Sequence, residues 1–197
     1  MAVKKKKIKV DKYSKVQPKV PPLTIGIIIG SLVLIFALIL IFRPTNQTVV
    51  YKSYNIFVSD SRFTEDHPFY QVNYKSSLFN KGLDKIIEQD EVVIVYVGYT
   101  GCQSCLVHIA PFQAYFESEG MDAYVDYIYY LDPSKNLKEF EAFQTAFSEV
   151  KQTTPQLIVF LNGEIIESFE PQSSEDMQLV NRSVRDFYRA AKAQIDE

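Results

Sequence analysis

The two cysteines of this 197-residue chain, Cys102 and Cys105, are separated by only two residues. They lie between a β-branched run at residues 91–97 and a segment with helical spacing at residues 103–119. A helix N-terminus presents unpaired N–H groups and a partial positive charge, and both favour a thiolate. Spacing and position together predict a redox-active pair, with Cys102 as the more exposed nucleophile and Cys105 as the shielded resolving thiol.

Two other uses of these cysteines stay open at this point. A purely structural disulfide is one, although closing so short a loop would add little stability. Half of a zinc site is the other, and it would need His67 and His108 as nitrogen ligands. His108 follows Cys105 by one helical turn, so it is either a solvated helix residue or one that tunes Cys105 electrostatically.

Hydrophobic periodicity predicts alternating strands and helices around the cysteines. Strands are expected at residues 69–74, 91–97 and 123–131, and a hairpin at residues 156–169 around Asn162-Gly163. Helices are expected at residues 76–89, 103–119 with a kink at Pro111, 137–150 and 174–193. The order β-α-β-α-β-α-β-β-α predicts an α/β fold with a central mixed sheet.

Residues 23–42 carry no charge and as a helix would extend roughly 30 Å, the thickness of a bilayer core. A cleaved signal peptide would have a shorter apolar region and a small-x-small cleavage site, whereas Arg43-Pro44 follows here. Eight lysines precede the run, which predicts a cytoplasmic N-terminus and an extracytoplasmic remainder. The expected organisation is a Lys-rich tail at 1–22, a transmembrane helix at 23–42, an irregular stalk at 43–68 with a short strand near 55–59, and a folded domain at 69–197.

Charge is distributed unevenly along the chain. From Arg43 onward there are 13 basic and 23 acidic residues, and the basic N-terminal block has no interleaved aromatic residues. This pattern excludes a nucleic-acid-binding footprint. Outside the cytoplasm a disulfide between the two cysteines could persist.

Four features in order resemble the thioredoxin superfamily over residues 70–197: the segment VVIVYVGYTGCQSC, Pro111, the Thr153-Thr154-Pro155 turn before a strand, and the LNGE hairpin. The resemblance implies a three-layer thioredoxin-like fold and chemistry without a metal or organic cofactor. It implies that Cys102 is the nucleophile and Cys105 the resolving thiol. It also implies that Pro155 is cis and lies against the disulfide, and that Thr154 offers its backbone to substrate. Tyr99 and Thr100 could line the substrate surface or merely shape the turn.

Two positions depart from thioredoxins proper, because Tyr96 and Gly101 stand where those proteins have a buried acid and a tryptophan. The placement of Tyr96 and Gly98 resembles the bacteriocin transport accessory or bacteriocin-maturation disulfide proteins of Gram-positive bacteria. The implied function is a membrane-anchored, extracytoplasmic thiol–disulfide oxidoreductase. It would act on cysteine-containing secreted or surface proteins and peptides and could be recycled by a membrane redox partner. The alternative is a non-catalytic accessory protein of peptide or bacteriocin export.

Overall fold

The computed structural model describes residues 21–41, 44–78, 80–173 and 176–197. The chain divides after Arg43 into two units. In the first unit the described residues form helix α1 (Pro22–Ile41), whose large apolar side chains are exposed from Leu23 to Ile39. Among the helices that are described, none has both the length and the apolar character needed to cross a membrane. Residue 42 of the predicted transmembrane segment 23–42 and residues 1–20 of the predicted tail 1–22 lie outside the described residues.

The second unit contains a five-stranded mixed sheet in the order β1-β3-β2-β4-β5. Strands β1 and β3 run parallel to β2, whereas β4 is antiparallel to both β2 and β5. The sheet thus confirms the predicted mixed α/β architecture. Its elements are α2 (Asn46–Tyr54), β1 (Phe69–Gln71), α3 (Leu83–Gln89), β2 (Val92–Val97), α4 (Gln103–Ser118), a 3-10 turn (Met121–Ala123), β3 (Ile128–Leu131), α5 (Leu137–Ala146), β4 (Gln156–Leu161), β5 (Glu164–Ser168) and α6 (Met177–Ile195).

The central strand β2 divides the hydrophobic core into two layers. Ile94 and Tyr96 point into the cluster formed with α2, α4 and α6, while Val93, Val95 and Val97 point into the cluster formed with α3 and α5. Successive side chains of a strand face opposite sides of a sheet, so a strand covered on both faces reads as a continuous apolar run. The outcome is the predicted arrangement of helices on both faces of one sheet.

The segment predicted as an irregular stalk is instead part of the folded unit. Val50 and Tyr54, four residues apart on α2, are both buried against the sheet. The side-chain amide of Asn46 donates to the carbonyl of Gln71 at 2.8 Å and its Oδ1 accepts the Gln71 N–H, so α2 pairs with the outer edge of β1. The predicted strand near 55–59 is wrong, because α2 ends at Tyr54 and a turn follows at residues 55–57.

Three further boundaries differ from the sequence prediction. Helix α3, expected from residue 76, begins only at Leu83 with Gly82 as its N-cap, and Leu78, which has helical spacing, is 90% exposed. The strand expected from residue 123 begins at Ile128, because a 3-10 turn occupies the start of that segment. Helix α6 starts at Met177, where the Asp176 carboxylate accepts the backbone N–H groups of Gln178 and Leu179.

Candidate functional site

The cysteines form a disulfide at the N-terminus of α4, directly after the carboxyl end of β2. Cys102 is the N-cap residue and Cys105 lies in the first turn, with their Cα atoms 5.2 Å apart. The Cys102 Sγ accepts the backbone N–H of Cys105 at 3.1 Å. This is one of the N–H groups that a helix start leaves unpaired, so the same contact can stabilise a Cys102 thiolate after reduction.

The two sulfurs differ in their access to solvent. Cys102 is 8% exposed and Cys105 is fully buried. The prediction that Cys102 is the nucleophile and Cys105 the resolving thiol assumes that Cys102 is the more exposed of the two, as it is here. The exposed surface of Cys102 is nevertheless small. Cys102 is thus the cysteine of the pair that retains some exposed surface.

The Thr154–Pro155 turn lies beside Cys102, although 52 positions separate Thr154 from this cysteine. The carbonyl oxygen of Thr154 is 3.6 Å from Cys102 Sγ, and the Thr154–Pro155 peptide bond is cis, as the resemblance implies. Pro155 is buried and Thr154 is half-buried. The structure thus brings Cys102, Cys105, Thr154 and Pro155 together in one place.

Gln156 holds this turn, and sequence reasoning missed it. Its side chain is buried and accepts the Lys151 N–H at 2.8 Å. Its amide donates to the Lys151 and Thr153 carbonyls at 2.7 and 2.6 Å. The signal available in the sequence was one amide residue at the start of an otherwise apolar strand, Gln156–Leu161, because a buried polar side chain needs partners.

Tyr99 and Thr100 lie in the loop between β2 and α4, and both are half-buried. The Tyr99 carbonyl accepts the Cys102 N–H at 3.1 Å. The Tyr99 ring covers Gly101 so closely that an added Cβ there would be 2.9 Å from Cε2. Tyr99 therefore shapes the turn, and a role of either residue in contacting substrate stays a prediction.

Tyr96 belongs to a buried group of three tyrosines, with Tyr54 and Tyr130. The Tyr54 hydroxyl is 3.5 Å from that of Tyr96 and 3.3 Å from that of Tyr130, which in turn donates to Asp132 at 3.2 Å. Burial raises the pKa of all three tyrosines, so they are neutral. The ring of Tyr96 extends over Gly98, where an added Cβ would overlap its hydroxyl, which explains the glycine at that position.

The structure places both histidines in buried positions, which contradicts the solvated role considered for His108. His108 is fully buried rather than solvated, and burial lowers its pKa. His67 is also buried, and both of its nitrogens are engaged: Nε2 is 3.0 Å from the Gln47 carbonyl, and Nδ1 accepts the Phe69 N–H at 3.1 Å. Because both nitrogens have partners, this conformation of His67 cannot complete a zinc site. No group of three or more metal-ligating side chains occurs within the described part of the chain.

Comparison with known proteins gives matches in solved structures only. No family model matches the chain, and no curated protein matches its sequence. One matched structure, described as a candidate oxidoreductase with a thioredoxin fold, is 18% identical, with 66% of this chain and 95% of that chain covered and a TM-score of 0.44. The thioredoxin of Malassezia sympodialis is 15% identical, and the match covers 54% of this chain and 83% of that thioredoxin with a TM-score of 0.40. The thioredoxin of Trypanosoma brucei brucei is 14% identical, and the match covers 62% of this chain and 94% of that thioredoxin with a TM-score of 0.40.

The structural neighbours of the chain are therefore proteins with a thioredoxin fold. Three features of this chain's own geometry define the site: the strand order, the Cys-x-x-Cys disulfide at the start of α4, and the Thr154 carbonyl beside Cys102. A fold shared with other proteins does not by itself define an activity, so the chemistry has to be argued from these residues.

Proposed function

We propose that the chain is a membrane-anchored, extracytoplasmic thiol–disulfide oxidoreductase. The observation that carries this proposal is the disulfide at the N-terminus of α4, in which Cys102 is the partly exposed cysteine and the Thr154 carbonyl oxygen lies 3.6 Å from its Sγ. Substrates would be cysteine-containing proteins or peptides that are secreted or held at the cell surface. The Thr154 carbonyl is positioned to accept a backbone N–H from an extended substrate segment next to Cys102.

The proposed reaction is an exchange between the Cys102–Cys105 disulfide and two thiols of the substrate. A substrate thiolate attacks Cys102 Sγ, the Cys102–Cys105 bond breaks, and Cys105 leaves as a thiolate that takes up a proton. A second substrate thiolate then attacks the substrate sulfur of the mixed disulfide and releases reduced Cys102. The reverse sequence reduces a substrate disulfide. In both directions two electrons and two protons move from a dithiol to a disulfide, so these steps require no metal or organic cofactor.

The direction of electron flow depends on the reduction potential of the pair. Equilibration of the full chain with glutathione buffers, followed by thiol alkylation and mass measurement, gives this potential. A value well below about −250 mV would identify a reductant that needs a membrane electron donor, and a value near −150 mV an oxidant or isomerase. A chain that never exchanges with glutathione would contradict the proposal.

The membrane anchor in this proposal rests on the uncharged run at residues 23–42 and on the lysines before it. Protease added to intact cells is expected to digest the acidic unit from residue 44 onward and to leave the N-terminal tail protected. The control is the same digestion after the cells are permeabilised, in which both ends should be cleaved. Protection of the acidic unit in intact cells would contradict the extracytoplasmic placement.

Gln156→Leu is expected to lower the rate of exchange with a cysteine-containing peptide by about tenfold to a hundredfold, because the Thr154 carbonyl loses its support beside Cys102. Stopped-flow kinetics of the peptide reaction measures this rate. The matched control is Gln113→Leu, a second buried glutamine whose side chain is bonded to Thr64 instead. Equal rates for the two variants would show that the turn does not depend on Gln156 for its reactivity.

A further inference from the structure

The outer side of helix α2 carries large apolar side chains. Val49 and Ile56 are 42% and 79% exposed, and Phe57, the next residue, is 60% exposed. Residues seven apart on a helix lie on one face, and Asn55, which ends α2, still has helical φ and ψ. Val49 and Ile56 therefore share a face, and Lys52 lies between them on it.

The inner side of α2 is already covered by the fold. Val50 and Tyr54 are buried against the sheet, and Tyr51 packs against Phe63 with ring centroids 5.5 Å apart. Within the described part of the chain, the side with Val49 and Ile56 is the one that remains exposed. Large apolar side chains exposed in one place mark a surface that a partner covers.

The charge of this segment differs from that of the rest of the unit. Residues 43–59 contain Arg43 and Lys52 and no acidic residue, whereas residues 60–197 contain 23 acidic and 11 basic residues. An anionic lipid surface attracts a basic stretch and repels an acidic one. The charges thus favour α2 as the part of the unit that faces lipid.

The position of α2 in the chain limits its distance from a bilayer. The uncharged run ends at residue 42, and α2 begins at Asn46. Four residues extend at most about 14 Å, and the headgroup region on each side of the apolar core is roughly 5–8 Å thick. A chain that leaves the apolar core after residue 42 therefore holds the start of α2 at or next to the headgroups.

We propose that the surface formed by Val49, Lys52, Ile56 and Phe57 docks on the membrane that anchors the chain. This inference rests on the proposed function, because it requires the anchor at residues 23–42. The apolar side chains enter the boundary between headgroups and acyl chains, and the Lys52 ammonium pairs with lipid phosphates. Docking gives the folded unit a fixed side toward the lipid.

A tryptophan in place of Phe57 tests this docking, because the chain contains no tryptophan of its own. The full-length Phe57→Trp chain is reconstituted into vesicles of phosphatidylcholine and phosphatidylglycerol in equal parts. Lipids with bromine on the acyl chain near the headgroup are expected to quench its fluorescence at least about twofold, since the indole would lie at that depth.

Leu137→Trp is the matched control. Leu137 is 63% exposed, close to the 60% of Phe57, and it begins α5, which packs on the opposite face of the sheet from α2. The same lipids should leave its fluorescence unquenched. Equal quenching of the two chains would overturn the inference, because the surface of α2 would then have no preference for lipid.

Val49→Asp in the Phe57→Trp chain places a carboxylate on the docking surface, and the exposed position of Val49 tolerates it without loss of the fold. This change is expected to abolish the quenching while the chain still floats with the vesicles through its anchor. Unchanged quenching would show that the α2 surface does not hold position 57 in the lipid, and would overturn the inference.

Vesicle flotation separates failure of this inference from failure of the proposed anchor. A Phe57→Trp chain that floats with the vesicles but is not quenched has an anchor and no docking surface, which leaves the exposed side of α2 to a protein partner. A chain that does not float with the vesicles has neither, and it overturns the membrane anchor together with the docking.

Discussion

Cys105→Ser is expected to accumulate a covalent mixed disulfide between Cys102 and a cysteine-containing substrate. Without the resolving sulfur, a Cys102 thiolate that has attacked a substrate disulfide has no internal partner to release it. Cys102→Ser is expected to form no adduct and to lower the exchange rate at least about 10³-fold, because the nucleophile itself is absent. Non-reducing gels and mass spectrometry of the purified chain detect the adduct.

The exposed residue between the cysteines provides the control for this pair of variants. Gln103→Ala changes the first residue of α4 without removing a sulfur. This variant should exchange at the rate of the unmodified chain and, like it, should accumulate no trapped adduct. An adduct that forms equally well in Cys102→Ser would contradict the assignment of Cys102 as nucleophile. Unchanged cellular activity of Cys102→Ser would favour the non-catalytic accessory role over the enzyme.

Tyr54→Ala is expected to lower the free energy of unfolding of the acidic unit by about 3–5 kcal/mol. Tyr54 is fully buried, packs edge-on against Tyr130 at 5.9 Å, and its hydroxyl contacts those of Tyr96 and Tyr130. Removing so large a buried ring loses its apolar burial and leaves a cavity. Urea unfolding of the full chain, followed by tyrosine fluorescence, measures the loss.

Ile56→Ala is the matched control, because Ile56 lies two residues further along and is 79% exposed. Its effect should stay within about 0.5 kcal/mol. Tyr54→Phe, which deletes only the hydroxyl, should cost about 1–2 kcal/mol. If Tyr54→Ala unfolded no more easily than Ile56→Ala, residues 44–68 would be the stalk that the sequence suggests, and the packing of α2 would not stabilise the unit.

Local patterns predicted the elements whose signals lie within a few residues. The run Val92–Val97 is a strand covered on both faces, and Asn162-Gly163 closes the β4–β5 hairpin with both residues at positive φ. The signal for each of these elements, an apolar run or a turn dipeptide, lies within one short segment, although β2 itself pairs with the distant strands β3 and β4. The same is true of the helix after Cys102, which continues through Pro111 to Ser118.

The missed features depend on contacts between distant residues. Helix α2 has a mostly polar sequence, and it is held in place by Tyr54 and by the pairing of Asn46 with Gln71. Leu78 has helical spacing but lies outside a helix, because no element covers it and Gly82 begins the helix instead. Hydrophobic periodicity indicates which residues would lie on one face of a helix or strand. It does not indicate whether another element of the fold packs against that face.

The sequence by itself determined the Cys-x-x-Cys pair at a strand-to-helix junction, the alternation that makes a mixed sheet, and the uncharged run before the acidic unit. Tertiary structure alone decided that the Thr154 carbonyl lies beside Cys102, that Gln156 holds it there, and that His108 is buried with an unmatched nitrogen. The physical reason is that spacing along a chain controls local hydrogen bonding, whereas burial and long-range contacts follow from how the helices pack onto the sheet.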